Sequence, residues 1–456
     1  MPVWWLCLSL CLASFSLARL PHHTLAVSPG FDNGLGRTPP MGYNTWNAFG
    51  DKIDEGLMRA TADLMLELGL VQAGYTYLNL DDGWQALERE PGSQRLQPHP
   101  QRFPSGMPAL VTYAADRGLK LGLYTDVGAL SCAGYPGSLG YEQQDAAAMA
   151  DWGIQYLKVD NCYADPGTVQ QRYEAMGAAL NASGHPLLLS LCSWGMGLPW
   201  QGWGRQVGGH TWRVDVDISP QWHEILHCAD STIGLAKFAG PGGWNDPDML
   251  EVGNGALSEG QQRAHFALWA VLKAPLLIGA DLRRLPPASL AILKAREVIA
   301  VNQDKLGAAG DLIWAEGTLQ VWGAPLAGGA WAVVLLNRQS VYDPNPPSIT
   351  VPWALLGWEQ GAPAAVRDLF AERDILACQP VASHSVDRQH GRSLTGRAEL
   401  PHRIADATRS TSHTARSPPY NNLAECAVGA FTAVVPSADV VMLRITPVQA
   451  GRQRRH

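Results

Sequence analysis

The chain has 456 residues, of which 46% are hydrophobic and 16% charged, and its formal net charge is −7 at pH 7. This composition supports a sizeable folded core and excludes an intrinsically disordered chain. The acidic balance gives no electrostatic reason to expect a nucleic-acid partner, which a basic face would attract.

The N-terminal segment has the features of a secretory signal peptide. An apolar run of roughly a dozen residues precedes the small residues Ser16 and Ala18, where signal peptidase could cut. No Lys or Arg precedes the run, and the run is shorter than the ~20 residues that a membrane span requires. We therefore predict a cleaved signal at residues 1–18 and no membrane partner after its removal. The predicted location is outside the cell or in the secretory-pathway lumen, including the vacuole or lysosome.

Residues 37–305 alternate short apolar or β-branched runs with helical patterns. Segment Ile53–Leu68 carries apolar residues at helical spacing, and Ser258 with Gln261 forms a capping box before a later helix. Eight runs are predicted strands: Met41–Trp46, Tyr75–Leu80, Leu119–Tyr124, Tyr156–Val159, Pro186–Leu191, Thr211–Asp217, Lys237–Gly243 and Pro275–Gly279. This repeat predicts the α/β class and a (β/α)8 TIM barrel as the catalytic domain.

After residue 305 the pattern changes to short strands separated by Gly, Pro and Asn turns. Strands at Thr318–Trp322, Trp331–Leu336, Ser348–Val351 and Val440–Ile445 predict an antiparallel β-sandwich domain over residues 306–450. Within it, residues 379–420 are rich in Ser, Arg, Thr, His and Pro and have little apolar periodicity, which predicts an exposed insertion. A bridge between Cys378 and Cys426 would close the base of this insertion.

The cysteines favour disulfides over a metal site. After loss of the signal, Cys132, Cys162, Cys192, Cys228, Cys378 and Cys426 remain. No CxxC or Cys/His cluster suggests zinc, and we predict neither a metal nor a cofactor. In an oxidising compartment some of these cysteines are expected to be bridged. The sequon Asn181-Ala182-Ser183 is available for glycosylation of an exported protein.

Acidic residues recur at the ends of the predicted barrel strands, and these ends converge on the face that carries the active site in such barrels. They are Asp81, Asp82, Asp126, Asp160, Asp215, Asp217, Asp246, Asp248 and Asp281. Such a ring could hold a hard cation. Lys158 and Arg213 would compete with a metal, however, and already supply compensating charge.

Two pairs of residues have the spacing of catalytic groups. Lys158 and Asp160 point to the same face of their strand, and the ammonium is expected to keep the pKa of Asp160 low, as a nucleophile requires. Asp215 and Asp217 share a face of the predicted sixth strand, and an acid/base residue needs a raised pKa. Two carboxylates about 5 Å apart would suit double displacement through a glycosyl-enzyme.

Seven ordered motifs together resemble the α-galactosidases of glycoside hydrolase family 27. They are TPPMGYNTWNAFG, YTYLNLDDGWQ, LKLGLYTDVG, YLKVDNCY, WRVDVDI, GPGGWNDPDML and APLLIGADLR. The resemblance implies a retaining enzyme that removes terminal non-reducing α-D-galactose from oligosaccharides, galactomannan-type polymers or glycoconjugates. A small carbohydrate is then the partner, and the sequence leaves the oligomeric state open.

The resemblance also assigns roles to residues: Asp160 is the nucleophile, Asp217 the acid/base and Asp215 a bystander. The implied hydroxyl ligands are Asp81 and Asp82 for the 4- and 6-hydroxyls, Lys158 for the 3- and 4-hydroxyls, and Arg213 for the 2- and 3-hydroxyls. The resemblance also implies that Trp46 and Trp194 line the apolar face and rim of the sugar, and that Asp248 and Met249 border the pocket. Cys132 and Cys162 match the bridge beside the nucleophile. Cys192 matches a pocket cysteine whose bonding state stays open.

One departure from the family concerns the 2-position of the sugar. Many relatives have Glu after the pocket cysteine, whereas this chain has Ser193. A small residue there resembles the α-N-acetylgalactosaminidases of the family, but the next position that those enzymes keep small is taken either by Met196 or by a loop of different length. We therefore favour galactose. The Asp81-Asp82 pair argues against a β-L-arabinopyranosidase, and the presence of both carboxylates argues against a catalytically inactive sugar-binding protein.

Overall fold

The computed structural model describes residues 32–376 and 427–448. The predicted signal peptide at residues 1–18, the insertion at residues 379–420, and Cys378 and Cys426 lie outside the described residues.

Eight parallel strands form the first domain, with β1 beside both β2 and β8 and the others in sequential order up to β7. The strands are β1 (Met41–Asn44), β2 (Tyr77–Asn79), β3 (Lys120–Asp126), β4 (Tyr156–Asp160), β5 (Leu188–Leu191), β6 (Gly209–Arg213), β7 (Trp244–Asp246) and β8 (Leu276–Ile278). Leu250, four residues after β7, makes a parallel bridge to Ile278 and so closes the sheet. The predicted TIM barrel is confirmed.

Eleven α-helices are present among the described residues, and most of them lie between barrel strands. They are α1 (Trp46–Phe49), α2 (Glu55–Glu67), α3 (Leu70–Ala73), α4 (Gly106–Ala115), α5 (Glu142–Trp152), α6 (Val169–Ala182), α7 (Trp203–Gln206), α8 (Trp222–Asp230), α9 (Glu259–Leu272), α10 (Pro287–Leu293) and α11 (Arg296–Asn302). The capping box predicted for Ser258 and Gln261 starts α9. Within residues 32–376 and 427–448, no helix combines the length and apolar character that a bilayer crossing requires.

Two predicted strands are displaced in the structure. The sixth strand ends at Arg213, so Asp215 and Asp217 lie in the loop that follows it and do not share a strand face. The run 237–243 is not a strand: a short 3-10 helix at Ala236–Phe238 is followed by a turn, and β7 starts at Trp244. Consecutive glycines at 242 and 243 favour this turn, and Gly242 has the positive φ of 91° that glycine tolerates.

The second domain is built from antiparallel strands, as predicted. Its larger sheet runs in the order β14-β13-β17-β11-β10-β9, with β15 paired to β13, and its smaller sheet pairs β12 with β16. These strands are β9 (Asp311–Glu316), β10 (Leu319–Pro325), β11 (Trp331–Asn337), β12 (Ser348–Pro352), β13 (Pro363–Asp368), β14 (Arg373–Leu376), β15 (Ala427–Val428), β16 (Ala430–Val434) and β17 (Asp439–Pro447).

The central strands of the larger sheet are apolar on both faces because both faces are covered. On one face, Val333 and Leu335 pack with Ile349 of the smaller sheet to form the core of the sandwich. On the other face, Val334 and Leu336 join the core of the barrel. The β domain is thus packed directly against the catalytic domain, chiefly through α9.

Candidate active site

Most of the predicted carboxylates converge at the carboxyl end of the barrel. Buried side chains at this end are Asp81, Asp82, Asp126, Asp160, Asp246 and Asp248. Asp215 and Asp281 do not join them. Asp215 lies 3.1 Å from the imidazole of His227, and Asp281 pairs with Arg283 at 2.7 Å. A pocket between the strand ends is lined by Lys158, Cys192, Arg213, Asp248 and Met249, together with Asn44, Tyr156, Ser190, Asp246 and Leu277.

Asp160 is the last residue of β4, and only 5% of it is exposed. Its pKa is raised to about 6. Burial is the largest cause, and the carboxylates of Asp81 and Asp217 also raise the pKa, whereas the charges of Lys158 and Arg213 lower it. Lys158 therefore favours the ionised form, as predicted from the sequence, but the prediction of a low pKa is wrong because the desolvation of a buried charge outweighs the attraction of the ammonium.

Asp81 joins the first, second and fourth strands at the pocket. Its Oδ2 accepts hydrogen bonds from Lys158 Nζ at 2.9 Å and from Asn44 Nδ2 at 2.7 Å, and its backbone N–H donates to Thr45 Oγ1. The neighbouring Asp82 accepts from the backbone N–H of Ala133 at 2.8 Å. Both carboxylates are thus held in fixed orientations by groups of the chain itself.

Arg213 lies between two carboxylates of different character. Its Nη2 is 2.9 Å from Asp217 Oδ1 and 3.2 Å from Asp248 Oδ2. The Asp217 side chain is 61% exposed, whereas Arg213 and Asp248 are buried. Burial tends to raise the pKa of Asp217, but the charge and the hydrogen bond of Arg213 outweigh it and hold the pKa below its usual value. Asp217 is therefore ionised in the unliganded site, which is the opposite of the predicted raised pKa.

The loop after β7 is held in place by a hydrogen bond from α9. The indole N–H of Trp269 donates to the backbone carbonyl of Asp248 at 2.6 Å, and Asp248 Oδ2 accepts from the backbone N–H of Ile218. Asp248 has a φ of 83°, a conformation that costs energy for a residue with a side chain and is maintained by such contacts. The adjacent Met249 packs in the barrel interior, where Trp46 contacts the same cluster.

The loop after β5 differs from what the sequence implied. The Ser193 hydroxyl donates to the backbone carbonyl of Met196 at 3.2 Å, and the Met196 N–H donates to the Ser193 carbonyl at 2.8 Å. Ser193 is 0% exposed, so it closes a turn and presents no surface to a ligand. Trp194, with a φ of 50°, is partly exposed beside it. A role of Ser193 at the 2-position of the sugar stays a prediction, and in this arrangement its hydroxyl is already occupied by the Met196 carbonyl.

The structure settles the bonding state of four cysteines. Cys132 and Cys162 form a disulfide, as the resemblance implied, with their Cα atoms 5.2 Å apart. Cys192 and Cys228 are free and buried. The Cys192 sulfur accepts from Arg213 Nη1 at 3.5 Å, and burial raises the pKa of its thiol. Cys192 is thus an uncharged polar contact for Arg213.

One group of possible metal ligands is present among the described residues. Single ligand atoms of Asp126, Cys132, Asp160 and Cys162 lie within 4.8 Å of one another. Because the two sulfurs are bonded to each other, they are not thiolate ligands, and only two carboxylates remain at this position.

Tyr124 lies beside the site, although it is not among the site residues predicted from the sequence. Its hydroxyl accepts from the backbone N–H of Cys132 at 3.4 Å, and its ring lies 5.3 Å from Lys158 Nζ. The signal was its position two residues before Asp126, because alternate residues of a strand share a face. An aromatic residue in an apolar run is usually part of the core, so the strand pattern alone does not identify Tyr124 as a site residue.

Comparisons with known proteins agree with this geometry. A family model described as "Alpha galactosidase A" matches residues 38–304, and one described as "Alpha galactosidase C-terminal beta sandwich domain" matches residues 316–389. An α-galactosidase of Cyamopsis tetragonoloba is 46% identical over 340 residues, which cover 74% of this chain and 81% of that protein.

Solved structures resemble the chain over almost its whole length. The crystal structure of α-galactosidase I from Mortierella vinacea has a TM-score of 0.75 and 31% identity and covers 91% of this chain and 98% of that one. An α-galactosidase from Saccharomyces cerevisiae, solved with raffinose, has a TM-score of 0.74 and 28% identity and covers 92% and 100%. The chain belongs to the melibiase family of α-galactosidases, glycoside hydrolase family 27.

Proposed function

We propose that the chain hydrolyses terminal α-D-galactosides with retention of configuration, with Asp160 as nucleophile and Asp217 as acid/base. One observation carries the proposal: two residues that line the pocket, Lys158 and Arg213, act electrostatically on both a buried carboxylate, Asp160, and an exposed one, Asp217. The galactosidase activity named for relatives at 40–46% identity supports the same reaction for this chain.

The buried carboxylate suits attack on the anomeric carbon. Asp160 is fixed at the end of β4 and loses little hydration on meeting the sugar, because it is already desolvated. Its oxygen forms the bond to C1 while the C1–O bond to the leaving group breaks. The resulting glycosyl-enzyme has the inverted β configuration.

The exposed carboxylate suits proton transfer at the open end of the pocket. In the unliganded site Arg213 holds Asp217 ionised, but the same guanidinium also pairs with Asp248. When a sugar hydroxyl occupies Arg213, Asp217 loses part of this stabilisation and its pKa rises, so it takes up a proton for the leaving oxygen. In the second step Asp217 removes a proton from water, which attacks C1 and releases α-galactose.

We assign the selection of galactose to the carboxylates that follow β2 and to Lys158 of β4. The fixed carboxylates of Asp81 and Asp82 are acceptors for hydroxyls of the sugar, and Lys158 is a donor beside them. Trp46 supplies an aromatic surface for the C–H face of the ring. An axial 4-hydroxyl that meets Asp81 would distinguish galactose from glucose, because the equatorial epimer does not make this charge-assisted hydrogen bond.

Galactose is preferred to N-acetylgalactosamine for a structural reason. Ser193 is small, but its side chain is enclosed in the turn with Met196 and opens no space for a 2-acetamido group. A secretory-pathway or extracellular location is part of the proposal, because the Cys132–Cys162 disulfide is typical of oxidising compartments.

The experiment is a comparison of three chromogenic substrates: an α-galactoside, an α-N-acetylgalactosaminide and a β-L-arabinopyranoside. We expect the highest kcat/KM on the α-galactoside, and NMR spectra of the first turnovers should show α-galactose before mutarotation. A higher kcat/KM on either competitor would overturn the substrate. Release of the β-anomer would overturn the mechanism, and galactose binding without turnover would indicate a sugar-binding protein.

A further inference from the structure

Glu251 is a buried carboxyl that the proposed mechanism does not use. It follows Met249 by two residues in the loop after β7 and is 0% exposed. Within residues 32–376 and 427–448, no Lys or Arg forms an ion pair with it. A carboxyl without a cation in a protein interior is unfavourable for stability, since an apolar side chain of similar size avoids the desolvation cost.

The Glu251 carboxyl connects three segments around the pocket. One oxygen accepts a short hydrogen bond from Asn47 Nδ2, and the other accepts from Asn254 Nδ2 at 2.5 Å. The Asn254 amide also donates to the backbone carbonyl of Gly279 at 3.1 Å. Glu251 therefore joins α1, its own loop and the end of β8.

The segment held by Asn47 is the helix that begins with Trp46. At its start, the Trp46 N–H donates to Asn44 Oδ1, and Asn44 in turn donates to Asp81. Four residues are too few to form a stable helix alone, so contacts with neighbouring segments must hold α1 in place. Glu251 provides one such contact through Asn47.

Asn47 is packed closely against Gly279, at the end of β8. A Cβ at Gly279 would lie 3.1 Å from Asn47 Cβ and 3.3 Å from the Leu250 carbonyl oxygen. The backbone N–H of Glu251 donates to His265 Nε2 of α9 at 2.9 Å, which fixes the loop from the other side. A displacement of Asn47 would thus move Trp46 directly.

We propose that Glu251 is a positioning residue for sugar binding, which holds Asn47 and thereby fixes the Trp46 ring against the bound galactose. The inference rests on the proposed function, because Trp46 is a sugar contact only in that proposal. Glu251 touches no substrate. Its effect should therefore appear in the affinity for the sugar and should depend on Trp46.

The test is Glu251→Gln, which keeps the size of the side chain but puts an amide N–H2 against one of the two asparagine amides. We expect KM for an α-galactoside and Kd for galactose, measured by calorimetry, to rise about tenfold through misplacement of Trp46, with kcat changed less than about threefold. Asn47→Ala should give the same pattern and serves as the second variant if Glu251→Gln does not fold.

The decisive measurement repeats Glu251→Gln in a Trp46→Ala background. If Glu251 acts through Trp46, its effect on Kd there should fall to less than about twofold. An equal effect in both backgrounds, or an unchanged Kd in the single variant, would overturn the proposal. The galactose Kd does not require turnover, so a wild type that binds galactose without hydrolysing α-galactosides would contradict only the proposed function.

A matched control is Glu55→Gln at the start of α2. Glu55 is also buried and accepts hydrogen bonds from Arg59 and from the backbone N–H of Ser105, and these partners do not line the pocket. We expect it to lower the unfolding temperature without changing KM or Kd. A similar tenfold rise in KM for this control would show that any loss of a buried carboxylate loosens the pocket, and would overturn a specific role for Glu251.

Discussion

Asp160 illustrates how burial and charge oppose each other at one residue. The position of Lys158 two residues before it indicates correctly which charge faces the carboxylate, because side chains alternate along a strand. The pKa also depends on the extent of burial and on the charges of residues far away in the sequence, such as Asp81 and Arg213, and no local pattern gives either. For this reason the sequence predicts the partner but not the pKa.

The pKa of Asp160 predicts the acid limb of the pH profile. The nucleophile must be ionised, so kcat/KM for an α-galactoside should fall as the pH is lowered through about 6. Lys158→Met removes a charge that lowers this pKa and should move the limb to higher pH, in addition to raising KM. A limb that stays in place in Lys158→Met would show that another group controls it.

Replacement of the nucleophile should separate activity from stability. Asp160→Asn removes the attacking oxygen, and kcat should fall by about 10³-fold or more. The unfolding temperature near neutral pH should rise, because the variant no longer buries a charge. With Asp160→Gly, added azide should yield the β-galactosyl azide. A variant Asp160→Asn that keeps a tenth of the wild-type kcat would place the nucleophile elsewhere.

At the scale of elements, strand positions follow from apolar runs more reliably than strand ends do. Seven of the eight predicted runs overlap a barrel strand, but the sixth extends past the end of β6 at Arg213, and the seventh, at 237–243, ends before β7 starts at Trp244. The Val and Asp residues of 214–217 have the alternation of a strand, yet they form a loop, in which Arg213 donates to the backbone carbonyl of Asp215 and to the carboxylate of Asp217. This tertiary contact overrides the local pattern.

The loops after β3 and β4 are in close contact, and the disulfide that links them should contribute to the free energy of unfolding. A Cβ at Gly128 would lie 1.8 Å from the Cys162 carbonyl oxygen, and Asp126 accepts from the N–H groups of both residues. The Cys132–Cys162 bridge closes a loop with a sequence separation of 30. Replacement of both by Ser should lower the free energy of unfolding in urea by about 3–4 kcal/mol.

A control for this variant is Cys228→Ser, which changes a free buried thiol. Cys228→Ser should lower the free energy of unfolding less than the double replacement does. Its stability should remain sensitive to dithiothreitol, as that of the wild type is, because it keeps the bridge. The double variant should be less sensitive to dithiothreitol than the wild type, because it has lost this bridge. An unchanged free energy of unfolding in the double variant would mean that the hydrogen bonds of Asp126 suffice to hold the loops.

At the scale of the molecule, the two domains share a core. Trp322 and Met442 of the larger β-sheet pack with the barrel core beside α9, and ion pairs such as Arg338 with Asp230 at 2.7 Å cross the boundary. The change of pattern near residue 305 predicts a second domain but not this contact, because apolar residues on both faces of a strand do not identify what covers each face.

This packing predicts that the domains unfold together. Calorimetry should show a single transition that coincides with loss of α-galactosidase activity. Arg338→Ala should lower the transition temperature only slightly, because a partly exposed ion pair contributes about 0–1 kcal/mol. Two separate transitions, or activity that survives melting of the β domain, would contradict a shared core.

In the proposed mechanism, the exposed position of Asp217 also determines which molecules can react with the glycosyl-enzyme. Its side chain is 61% exposed, whereas Asp160 is buried. A base in this position requires only a hydroxyl that reaches it from solution, and a hydroxyl of a second sugar would meet this requirement as well as water does. In concentrated oligosaccharide we therefore expect transfer of galactose to sugar acceptors, with formation of new glycosidic bonds, to compete with hydrolysis.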